Sequence, residues 1–81
     1  MKQKEYMIKL YAKACHLYWF WYFMKNNAKT KEQAIKANRV FKKYHTAHSS
    51  LVNALLLLGE IDTDEMNYIF NQEYDNMKEN Q

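Results

Sequence analysis

The residues best suited to chemistry in this chain are Cys15, His16, His45 and His48. His45 and His48 are three apart, so on a helix they share a face. Cys15-His16 could approach them from a neighbouring antiparallel helix. Two histidines and a thiolate are acceptable zinc ligands. A dedicated zinc motif carries tighter spacing and a fourth ligand, and this sequence has neither. A Cys/His dyad of Cys15 with His45 or His48 would need an acidified thiol and a group to orient the base. Cys15 instead sits among apolar residues, where burial raises a thiol's pKa. The sequence contains no phosphate loop, nucleophile elbow or helical metalloprotease motif. Asp62-Thr63-Asp64 begins like a calcium loop and Glu73 falls at its twelfth place. The fifth and sixth places, Met66 and Asn67, lack the required oxygen ligand and glycine. The expectation is therefore of no catalytic residue, no metal site and no cofactor.

A second kind of chemistry is recognition by aromatic surface. Leu17-Tyr18-Trp19-Phe20-Trp21-Tyr22-Phe23-Met24 is a run of eight large apolar residues that covers every side of a helix. Two packed neighbours in so small a chain cannot bury all of them. Trp and Tyr combine large contact area with a polar handle and are enriched at binding hot spots. Tyr18, Trp19, Trp21, Tyr22 and Phe23 are accordingly expected to form an interface for a partner or a second copy.

Charge supplies the third feature. Residues 1–48 hold eleven Lys/Arg against two acids, a net of +9, while residues 49–81 hold one Lys against seven acids, a net of −6. Three arrangements fit. The acidic segment can fold beside the basic one and soften its charge. A basic face can stay free for nucleic acid or an acidic protein, drawn from Lys29, Lys31, Lys36, Arg39, Lys42 and Lys43; Lys36, Arg39 and Lys43 share one helical face. Or the acids Glu60 to Glu79 can meet a basic target. With Arg39 as the one arginine, bidentate reading of bases is nearly unavailable, and nucleic-acid binding would rest on phosphates and weaken with salt.

These residues must be positioned by helices. The chain has no proline and one glycine, Gly59, so turns are scarce and long helices are expected. Apolar residues make up 48%, too many for a disordered chain. Three segments emerge, at about 4–26, 31–58 and 63–78, within one domain spanning 1–81. In the first, Met7, Leu10, Ala14, Leu17, Tyr18 and Trp21 recur at spacings of three and four, and Asn26-Asn27 offers a stop. The second opens with a capping box, Thr30 and Gln33. Its apolar face is Ala34, Ala37, Val40, Phe41, Tyr44, His48, Leu51, Leu55 and Leu58, and Gly59 closes it. Ser49-Ser50 is a point where it could break. The third opens at Asp62 and Glu65, with Ile61 and Met66 placed for a hydrophobic staple. Met66, Ile69, Phe70, Tyr74 and Met77 line one side of it.

Short connections imply antiparallel neighbours. The expected fold is all-α: an antiparallel hairpin of two long helices with a shorter third packed against it, a three-helix bundle that oligomerises. Because the third helix is short, part of the hairpin is expected to expose apolar surface. The longest apolar run is far short of the about 20 residues that cross a bilayer, and Lys25-Asn26-Asn27 after it is a poor cleavage site. No membrane partner is expected, and a lone cysteine fits a reducing, cytoplasmic setting.

The functional expectation is a small protein–protein interaction module acting as regulator, adaptor or inhibitor. Its partners would be itself, as a homodimer or higher oligomer, and another protein. Size and a lysine- and tyrosine-rich composition associate it with phages and mobile elements. Two other readings are a nucleic-acid-binding regulator using the Lys29–Lys43 face, and an oligomer that sequesters a small anionic ligand such as a nucleotide.

Overall fold

A computed structural model describes residues 2–59 and 61–79, with side chains from Lys4 onward. The described residues form three α-helices and no strand: α1 (Lys2–Asn26), α2 (Lys31–Leu58) and α3 (Thr63–Glu79). α1 packs on both α2 and α3. At 1.5 Å per residue, α2 is about 42 Å long. The long dimension of the molecule is 45 Å, so α2 spans nearly all of it.

The helix ends are set by local chemistry. Thr30, in extended backbone, accepts from the Gln33 amide through Oγ1 at 3.1 Å. The Gln33 side chain reaches back to the amide of Lys29 (3.1 Å), one residue earlier than in a standard capping box. Gly59 ends α2 in the left-handed region (φ 65°), its amide donating to the Leu56 carbonyl. Asp62 Oδ1 accepts from the Glu65 amide at 2.8 Å. Ile61 and Met66 flank that cap, both buried in one cluster, as a hydrophobic staple places them.

α2 runs unbroken through Ser49-Ser50. Just upstream, Thr46 turns its hydroxyl back to the Lys42 carbonyl (3.0 Å), a local bond compatible with helix.

The core sits where the three helices meet: Tyr11 and Cys15 from α1, Leu55 from α2, Ile61 before α3 and Met66 within it. Met7, Ile8, Leu51, Val52, Ile69 and Phe70 pack around it. The buried line on α1 runs through Tyr11, Ala14 and Cys15, whereas Leu10, Leu17 and Trp21, expected inward, are half-buried. An all-round apolar helix gives little periodic information, so its two neighbours choose the buried side. Leu58 departs from expectation too. It is exposed at the last position of α2.

No helix among the described residues is long and apolar enough to cross a membrane.

Candidate functional site

The aromatic run is divided between two environments. Tyr18 and Trp19 face the other helices. The Tyr18 ring lies 5.1 Å from Phe41, 5.8 Å from His45 and 5.4 Å from both His48 and Phe70. Burial raises its hydroxyl pKa, with Tyr22 adding to the shift. Trp19 packs tilted against Phe70 and edge-on against Tyr74, each at 4.7 Å, and its Nε1 donates to the Phe70 carbonyl at 3.0 Å. These two side chains hold α2 and α3 onto α1.

Trp21, Phe23 and Met24 point elsewhere. With Asn27, Ala28, Gln33, Lys36 and Ala37 they line a cleft of about 320 Å³ where α1 ends and α2 begins. Ala28 and Ala37 are the small members of this lining. A smaller hollow of about 200 Å³ adjoins it, reached from Tyr22 and Phe23 and closed by Tyr74, Met77 and Lys78 on α3. Phe23 and Asn27 belong to both. Tyr22 and Met24 are exposed. The structure thus brings Trp21 and Phe23 together around one cleft, and places Tyr18 and Trp19 in intramolecular packing. Met24, Asn27, Ala28, Gln33 and Ala37 also line the cleft and are not among the residues the sequence singles out as an interface.

The basic residues border this end. Lys36, Arg39, Lys42 and Lys43 are all exposed on α2. Lys36 lines the cleft, and the other three lie outside it. The acidic helix does not neutralise them: α3 packs on α1, and the one contact of a basic side chain with a carboxylate within 4.0 Å among the described residues is His16 Nδ1–Glu73, at 3.5 Å. Lys25 is engaged differently, its ammonium 4.5 Å from the Phe41 ring centre and 5.6 Å from that of Tyr22. Such cation–π contacts are worth about 0.5–1 kcal/mol when exposed. The Lys29–Lys43 stretch holds six cations and one acid, Glu32, and none of the six is within ion-pair distance of a carboxylate among the described residues.

The residues with chemical potential are kept apart. His16 turns to Glu73 on α3, while His45 and His48 lie against Tyr18. Cys15 is fully buried beside Tyr11, and burial pushes its pKa up to about 12. Tyr11, also buried, donates its hydroxyl to the Met66 carbonyl at 3.3 Å, and burial raises its pKa as well. His48 sits among Tyr11, Tyr18 and Phe70, with its Nε2 sealed from solvent and without a hydrogen-bond partner. That burial, with His45 nearby, lowers its pKa. Among the described residues no three His, Cys, Asp or Glu side chains are grouped to hold a metal. What the arrangement offers is surface: an apolar cleft, a cationic margin and exposed leucines at the far end of α2.

The chain matches no protein-family model, no curated protein and no solved structure.

Proposed function

We propose that this chain is a small helical protein–protein interaction module, acting as a regulator, adaptor or inhibitor by occupying the surface of another macromolecule. The scaffold is an antiparallel hairpin of α1 and α2 with α3 packed along it. Supporting this, the ring pairs Tyr11–His48, Tyr18–His45 and Tyr22–Phe41 advance along α1 as they retreat along α2. The observation that carries the reading is the cleft between Trp21, Phe23, Met24 and Ala37. It is mostly apolar, with Asn27, Gln33 and Lys36 as its polar members, the composition of a docking groove with a polar rim.

The test is affinity capture from cell extract on immobilised protein, with Trp21→Ser and Lys36→Glu as controls and protein and nucleic acid quantified separately. The expected result is a protein retained by the wild type and lost with either variant. Retention that is equal across the three refutes the cleft as the contact surface.

The unmatched cations of residues 29–43 favour a second reading, a phosphate-binding regulator. It predicts retention of nucleic acid with an affinity that falls linearly on a log–log plot against salt.

A further inference from the structure

We infer that the cleft at the α1–α2 junction also takes the leucine-tipped end of α2 from a second copy, giving head-to-tail association. The inference rests on reading the cleft as an interaction surface and adds one specific occupant.

Two unpartnered surfaces on this chain are complementary. The first is the cleft, with Trp21, Phe23 and Met24 as apolar walls and Lys36 on its border. Lys29 and Lys31, also exposed, begin the same basic stretch. The second is the last turn of α2. Leu56, Leu57 and Leu58 are all exposed there, Leu57 at 89%. Three successive solvated leucines at one helix end mark an interaction site more than a scatter of single ones would. Within a few residues follow Asp62, Asp64 and Glu65, all exposed and without an ion-pair partner among the described residues. An apolar tip next to acids thus matches an apolar cleft next to cations.

The two surfaces cannot meet within one molecule. Lys36 and Leu57 lie on the same unbroken helix, twenty-one positions and about 32 Å apart. Contact between different patches on successive copies is heterologous, and closes into a ring or continues as an open chain. This differs from a two-fold dimer sealed by Tyr18 and Trp19, which are engaged with Phe41, Phe70 and Tyr74 of their own chain.

The experiment is light scattering on a sizing column across protein concentration, for the wild type, Leu57→Asp and Met24→Glu. The wild type is expected to grow in mass with concentration. Each variant alone is expected to associate about 30-fold more weakly or worse, the loss of a hot-spot contact. Mixed in equal amounts, the two variants are expected to form a complex of two chains, because one retains the cleft and the other the leucine tip. Leu57 and Met24 are both exposed, so circular dichroism should not change. If it does, Leu57→Gln and Lys36→Glu replace them. Wild type that stays monomeric at about 1 mM, an oligomer that survives either substitution, or a mixture that fails to recombine overturns the inference. A monomer whose captured partner is lost with Met24→Glu refutes self-docking alone and leaves the cleft as an interaction surface. A monomer whose capture is indifferent to Met24→Glu refutes both.

Discussion

The indole Nε1 of Trp19 donates to the main-chain carbonyl of Phe70 at 3.0 Å, across fifty-one residues of sequence, while the two rings lie 4.7 Å apart. One side chain thus supplies both a directional bond and a large apolar contact between α1 and α3.

Trp19→Phe keeps most of the apolar contact and removes the hydrogen bond, with an expected loss of about 1 kcal/mol. Trp19→Ala also forfeits the packing on Phe70 and Tyr74 and should cost about 3 kcal/mol. Urea midpoints for both variants check this. A negligible change for Trp19→Ala would show that α3 is held to α1 by other contacts.

The α3 start depends on Asp62, whose carboxylate accepts from the Glu65 amide at 2.8 Å. Asp62→Ala should destabilise by about 0.5–2 kcal/mol, while Asp62→Asn, an equally good cap, should be close to neutral. Chemical denaturation of the pair separates loss of the cap from loss of charge.

Gly59 has φ 65°, and a Cβ built there meets no neighbour within 4 Å. The cost of Gly59→Ala is therefore backbone strain alone, about 1–2 kcal/mol. Gly59→Asn should lose less, because Asn visits the left-handed region more readily. Thermal melts of the two variants should rank in that order.

His48 makes stability depend on pH. Burial lowers its pKa in the folded state below the usual 6.5. Below that value the unfolded chain takes up more protons than the folded one. Stability associated with His48 is then fully present above about pH 6.5 and is lost as the pH falls through the unfolded value toward the lower folded one. The slope from this group cannot exceed about 1.4 kcal/mol per pH unit. His48→Phe, which keeps a ring in the same aromatic surroundings, should flatten the wild-type profile between pH 7 and 5, as read from denaturation midpoints at each pH. Parallel profiles would assign the dependence to other groups.

Cys15 is fully buried and its thiol is held protonated, with a pKa near 12. A disulfide reagent at pH 8 should leave it unmodified in the native protein and label it once denaturant unfolds the chain. Rapid stoichiometric labelling without denaturant would contradict the packing around Tyr11 and Met66.

Three kinds of information in the sequence are local, and the structure reproduces each. Thr30 and Asp62 cap helices because a short polar side chain satisfies an amide three residues on. Gly59 ends α2 because it alone lacks a Cβ. Ile61 and Met66 meet because a staple spans a single turn. None of these depends on what lies elsewhere in the fold. The all-helical content follows equally from a chain with no proline to interrupt it. Which of the eight residues from Leu17 to Met24 face inward was not legible, because a helix apolar on all sides has no period to read. Only the placement of Phe41 and Phe70 against α1 selected Tyr18 and Trp19 for packing and left Trp21, Phe23 and Met24 around the cleft. The same holds for charge: the sequence determined that its first half is basic and its last part acidic. That α3 lies along α1, with Met66 and Met77 buried and Ile69 and Phe70 partly so, and with its acids out of ion-pair reach of Lys36, Arg39, Lys42 and Lys43, was decided by apolar burial, which outweighs the small energy of exposed ion pairs.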